Sequence, residues 1–170
     1  MAGYGYVDGR GEYALEGFSI TLRGVGGAFE IIPTSLLYPG LGGEPNNIAR
    51  VTVRLRAESF VAETHFDFLL AVFHRLKSDL EGCSAGTADG VVFPSPQVVV
   101  LVLETWCRCE IAKGGPGRSD WRMDCELSEG PDERRKALKV RLPFDPSSIS
   151  ITRDELAAFL IACQQATATG

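Results

Sequence analysis

Three cysteines on two neighbouring segments have the most chemistry to offer. Cys107 and Cys109 stand two apart in the alternating stretch 106–111, and Cys125 lies in a second such stretch, 121–127. The turn Gly114-Gly115-Pro116-Gly117 lies between them, so the two stretches read as a hairpin. Side chains two apart in a strand share a face, and an even pairing register would bring all three thiols together. Convergent thiolates hold soft metals or act as nucleophiles. Zinc, however, takes four ligands at tighter loop-borne spacing such as C-x2-C, which the chain lacks. Cys125 also stands in line with Trp121, Met123 and Leu127, and a buried free cysteine behaves as a small hydrophobe. The expectation is core packing with no metal and no cofactor. A thiol- or metal-dependent enzyme centred on Cys107, Cys109 and Cys125 is the alternative. Cys83 follows the first predicted helix and is the best candidate for an exposed thiol. Five cysteines, an odd number, favour free thiols over a disulfide framework.

Other residue types give less. His65 and His74 are nine apart on or beside one predicted helix, which places them on opposite faces and excludes a shared metal. Gly24-Val25-Gly26-Gly27 resembles half of a phosphate loop, but it joins two strand-like segments and opens no helix, so it reads as a hairpin turn. Arg50, Arg54 and Arg56 alternate with Val51, Val53 and Leu55, giving an arginine row that either recognises a ligand or pairs with acids of neighbouring strands. Glu104, Glu110, Asp120, Asp124 and Glu126 concentrate acids on the central hairpin, where outward carboxylates are common without catalysis. Trp106 with Arg108, and Trp121 with Arg122, are the aromatic and basic residues close to each other. Read as neighbours on opposite sides of a strand, they form no nucleic-acid platform.

The elements that must position these residues follow from periodicity. A chain of 170 residues, 45% hydrophobic and 23% charged, suits one globular domain. No apolar run is long enough to span a bilayer, and the first residues lack the pattern of a secretion signal, so a cytoplasmic protein is expected. Residues 1–15 read as a flexible arm, 16–166 as a single α+β domain and 167–170 as a frayed tail. Strands are expected at 18–22, 29–32, 50–56, 91–93, 97–104, 106–111, 121–127 and 134–142, with a long loop at 33–47. The unbroken apolar run 98–103 argues for a central strand buried on both faces. Phe66, Leu69, Leu70, Phe73, Leu76 and Leu80 predict a helix from about Thr64 to Gly82. Thr152 and Glu155 match a capping box, with Ile151 and Leu156 as its staple, ahead of a helix burying Leu156, Phe159, Leu160 and Cys163. No internal repeat is visible. The fold class is α+β: an antiparallel curved sheet or two-layer β-sandwich of about 7–8 strands with two amphipathic helices packed on it.

The stretches 48–82, 90–104 with its Gly-Val-Val-Phe-Pro step, and 140–163, in this order of strands and helices, resemble the WapI-type immunity proteins of bacterial polymorphic toxin systems. The resemblance implies a non-enzymatic cytoplasmic protein, monomer or homodimer, that binds a cognate toxin domain and occludes its active site. Acids exceed bases in both halves, ten to seven over 1–85 and twelve to ten over 86–170. That balance suits a basic toxin partner rather than nucleic acid or membrane. Glu104, Glu110, Asp120, Asp124 and Glu126 are the expected toxin-binding residues. A small-ligand-binding or scaffold protein using the curved sheet is a further alternative.

Overall fold

Period-2 alternation builds most of the chain. The computed structural model describes residues 4–7, 12–37, 47–95, 105–115, 117, 119–130 and 136–168. Two short strands, β1 (Tyr4–Val7) and β2 (Glu12–Leu15), pair within the stretch expected as an arm, and Tyr13 and Leu15 of β2 are buried. β3 (Ile20–Gly24), β4 (Gly27–Leu37), β5 (Ile48–Ala57) and β6 (Phe60–Leu69) form an antiparallel meander. The helix α1 (Leu70–Ala85) follows, then a second meander of β7 (Gly90–Phe93), β8 (Thr105–Lys113), β9 (Trp121–Glu129) and β10 (Lys136–Phe144). A 3-10 turn, Pro146–Ser148, leads into α2 (Ile149–Ala168).

The fold is α+β, with ten described strands in one antiparallel sheet and two helices packed against it. Among the described residues the order of four strands and a helix therefore occurs twice, β3–β6 with α1 and β7–β10 with α2, a repetition that no sequence repeat announced. The helices are exchanged between the units. α1 packs on β7, α2 packs on β3, and the two helices pack on each other. At one seam β10 joins β3 through the pair Phe144↔Gly24. At the other, among the described residues, β6 pairs only with β5 and β7 only with β8, so the sheet is open.

Several expectations change. The first helix begins at Leu70, not Thr64, because residues 60–69 pair along the whole of β5 and the ladder runs up to the bond from the Leu70 amide to the Asn47 carbonyl, 2.8 Å. It ends at Gly86 (φ 74°), not Gly82, and the Thr87 amide closes on the Gly82 carbonyl at 2.9 Å. Pro33 to Leu37, expected in a loop, continue β4 past an irregularity in register between Pro33 and Ser35. The long strand expected at 97–104 lies outside the described residues. Thr152 and Glu155 cap nothing, since α2 already begins at Ile149. Asp145 instead caps the preceding turn by accepting from the Ser147 amide at 2.9 Å. Ile151 is half exposed, so it forms no staple. α2 runs to Ala168, past the start of the expected tail, with Ala166 buried.

One core serves both units. Phe93 of β7 meets Phe29, Phe68 and Phe73 of the first unit at ring-centroid distances of 6.0, 5.5 and 6.1 Å, and Phe73 of α1 meets Phe159 of α2 at 5.0 Å. The Phe93 contacts with Phe29 and Phe68 and the Phe73–Phe159 contact are edge-to-face, which suits the ring quadrupole, while Phe73–Phe93 is tilted at 47°.

Candidate functional site

The second meander has two faces, and alternation assigns its residues to them. Across β8, β9 and β10, Arg108 stands opposite Glu126 and Glu126 opposite Lys139. In the next outward row Glu110 stands opposite Asp124 and Asp124 opposite Arg141. Three of the five acids expected at the site, Glu110, Asp124 and Glu126, are thus brought onto one outer face. Asp120 is not, because it lies in the turn before β9, where its carbonyl accepts from the Gly114 amide at 2.7 Å. Glu104 lies outside the described residues.

These acids do not form a bare negative patch. Arg108 reaches Glu110 at 2.8 Å, Arg141 reaches Asp124 at 2.6 Å, Arg122 reaches the same carboxylate at 3.4 Å, and Lys139 approaches Glu126 at 3.8 Å. The bases stand above the acids. The Lys139 and Arg141 side chains are 73% and 74% exposed, against 21% for Glu126 and 30% for Asp124. Long flexible side chains extend beyond the short carboxylates to reach water, so the outermost atoms of an acid-rich sequence are cationic here. The hydrogen bond and charge of Asp124 hold the Arg141 pKa above its ordinary value. Arg108, Glu110, Asp124, Glu126, Lys139 and Arg141 line a shallow hollow of about 460 Å³.

Trp106 belongs to this face as well. It is two residues from Arg108, so the two share a side of β8, contrary to the expectation of opposite sides, and the residue is 41% exposed. Spacing alone carries that signal. Trp121 and Arg122 do point to opposite sides, with Trp121 packed against the core.

Behind the face lie the thiols. Cys109 pairs directly with Cys125, Cys107 pairs with Leu127 one step along the same side, and all three cysteines are buried. The Cys125 thiol donates to the Cys109 sulfur at 2.8 Å. Burial pushes the Cys107 and Cys109 thiols far above their ordinary pKa, and for Cys109 the hydrogen bond with Cys125 adds to it. A nucleophilic thiol needs the opposite environment, partly exposed and electropositive. Cys83, expected to be exposed, is buried at the end of α1, and its pKa is raised first by burial and then by the charge of Asp79. Among the described residues no three His, Cys, Asp or Glu side chains are grouped to hold a metal ion.

The arginine row of β5 is paired with acids. Arg50 binds Asp67 at 3.1 Å and Glu12 at 3.2 Å, Arg54 binds Glu63 at 2.8 Å, and Arg56 binds Glu30 at 2.9 Å. Exposed pairs of this kind are worth little singly and chiefly fix register. His65 lies on β6 with Nδ1 3.0 Å from the Thr52 hydroxyl, while His74 lies on α1. No described helix is long and apolar enough to cross a membrane.

No protein-family model matches the chain, and no curated protein matches it. Among solved structures, one titled as crystal structures of trypanosoma bruciei MRP1/MRP2 is similar with a TM-score of 0.37 and 9% identity, over 78% of this chain and 72% of that chain.

Proposed function

We propose that this protein is a non-enzymatic inhibitor that binds one partner protein through the outer face of β8–β10, in the manner of a cytoplasmic immunity protein that occludes its cognate toxin. The observation that carries the reading is the patterned face itself: one row of alternating charge, Arg108–Glu126–Lys139, next to a row of two acids and a base, Glu110–Asp124–Arg141, beside an exposed tryptophan, on strands fixed from behind by a buried core. Tryptophan and arginine are the residue types that dominate binding energy at protein interfaces. The charge pattern contributes specificity, because a partner lacking the complementary pattern would meet like charges.

The partner inferred from this face carries acids opposite Arg108, Lys139 and Arg141 and bases beside Glu110 and Asp124. Its overall charge is basic, which the chain's net charge of −5 would attract over distance. The raised thiol pKa values weigh against the alternative of a thiol enzyme.

The test is co-expression with the product of the neighbouring open reading frame, scored by growth and by co-purification. Relief of toxicity together with a stable complex is the expected result. Exchanging the charges, Arg108→Glu with Glu110→Arg, keeps the internal ion pair and moves the alternating row one step along the strands, from 108–126–139 to 110–124–141. It should abolish the complex at unchanged melting temperature. Full binding by the exchanged variant would remove this face from the interface, and absence of any toxicity to relieve would end the immunity reading.

A further inference from the structure

The buried pair Cys109 and Cys125 has the placement of a cross-strand bridge. Beyond the pair Lys113↔Trp121, the Gly114 amide donates to the Asp120 carbonyl at 2.7 Å. A bond in that position flanks a non-hydrogen-bonded pair, and the two pair types alternate along an antiparallel ladder. The β8–β9 register has no interruption, so 113/121, 111/123, 109/125 and 107/127 all belong to the non-hydrogen-bonded class. Directly opposed residues of that class have Cα atoms about 4.5 Å apart. This lies within the range of about 4.4–6.8 Å that disulfides span. The two sulfurs already face each other at 2.8 Å. Cys107 is opposed by Leu127, while Cys83 and Cys163 lie on α1 and α2, so no other cysteine has a thiol for a direct strand partner.

We propose that Cys109 and Cys125 are a site of reversible disulfide formation, bridging β8 to β9 by exchange with a small-molecule disulfide such as oxidised glutathione. One cysteine thiolate attacks a glutathione sulfur, the glutathione disulfide bond breaks, and a mixed disulfide forms as one glutathione leaves. The second cysteine thiolate then attacks the protein sulfur of the mixed disulfide and expels the second glutathione. Two protein thiols lose two electrons and two protons, and one oxidised glutathione becomes two reduced molecules. Both sulfurs are shielded in the folded chain, so the rate follows opening of the hairpin while the equilibrium follows the native pairing. Each cysteine lies between charged residues of the outer face, Cys109 between Arg108 and Glu110 and Cys125 between Asp124 and Glu126. The bridge would therefore lock the relative position of those residues from behind.

The experiment refolds the full chain from urea into mixtures of oxidised and reduced glutathione, then quenches in acid, alkylates free thiols and measures mass. Alkylatable thiols should fall from the five cysteines of the sequence to three as the mixture becomes more oxidising, with a loss of two hydrogens and no glutathione adduct. Arg108 separates Cys107 from Cys109, so trypsin resolves them, and peptide 109–113 should appear joined to peptide 123–134. The oxidised protein should melt several degrees higher than the reduced one, and reductant should reverse the rise. Cys107→Ser should form the same bridge. Five free thiols in every mixture, accumulation of glutathione adducts without an internal link, or a bridge through Cys107 would overturn the proposal. None of these readouts depends on a binding partner.

Discussion

Burial keeps Cys107 and Cys109 protonated well above the pH at which a free thiol ionises, and this ties stability to alkaline pH. The folded thiols have raised pKa values while the unfolded ones titrate near 9.0. Below that value both states hold their protons and the contribution is complete. As pH rises past it the unfolded state loses protons that the folded state retains, so stability falls. The melting temperature of the reduced protein should therefore drop between about pH 9 and 11, and Cys107→Ala with Cys109→Ala should flatten the drop while lowering stability at pH 7. An identical alkaline slope in that variant would show that other groups cause it. Thr152 and Glu155 commit their side chains away from their own helix. The Thr152 hydroxyl donates to the Thr21 carbonyl at 2.6 Å, and Glu155 accepts from the Thr21 amide at 2.9 Å while pairing with Arg23. Their spacing is that of a capping box, and in sequence the two uses look alike. Thr152→Val should cost about 0.5–1.5 kcal/mol in urea unfolding, the worth of one hydrogen bond, because the Thr21 carbonyl keeps the Arg23 guanidinium as a donor at 2.8 Å. A loss under about 0.5 kcal/mol would place the tie among the unimportant contacts.

Turns and junctions decide the elements. The hairpin between β5 and β6 closes through Glu58 and Ser59, with Glu58 at φ 53°, a conformation that suits glycine and strains a residue carrying a Cβ. Glu58→Gly should stabilise the protein by about 1 kcal/mol, read as a higher urea midpoint at unchanged slope. A lower midpoint would mean that the glutamate side chain contributes more than its backbone costs. Much of the meander architecture is legible in sequence, because Val51, Val53 and Leu55, or Met123, Cys125 and Leu127, alternate plainly with polar residues. The boundary between β6 and α1 is not. Phe66 and Phe68 belong to a strand, yet Phe66, Leu69, Leu70 and Phe73 also satisfy helical spacing, and no cap residue or glycine marks the change. Leu69, at the helix N-terminus, makes no side-chain cap. The candidate face was half legible for a related reason. Alternation places Glu110, Asp124 and Glu126 together, whereas the pairs Lys139–Glu126 and Arg141–Asp124 that cover two of them depend on the register with β10, a separate strand pairing.

At the scale of the whole molecule, exchange of helices between the two units makes independent unfolding costly. Separating the second unit would strip Phe93 from Phe29, Phe68 and Phe73, part α1 from β7, and break the Phe73–Phe159 contact. Each is burial that neither unit replaces alone, so the duplicated architecture should melt as a single cooperative body. The chain supplies a direct probe, since both tryptophans, Trp106 and Trp121, lie in the second unit, while far-ultraviolet circular dichroism reports on both. Urea transitions followed by the two signals should coincide. Phe93→Ala should move both together by about 3–5 kcal/mol, whereas Phe60→Ala, at an exposed hairpin end, should move neither by more than about 0.5 kcal/mol. Tryptophan fluorescence changing at a midpoint distinct from the dichroism would show that the second unit opens by itself, and the shared aromatic cluster would then not be what joins the halves. Coincident transitions would mean that the β8–β10 face belongs to one cooperative body with the first unit, joined to it by the aromatic core rather than by the single β10–β3 pair.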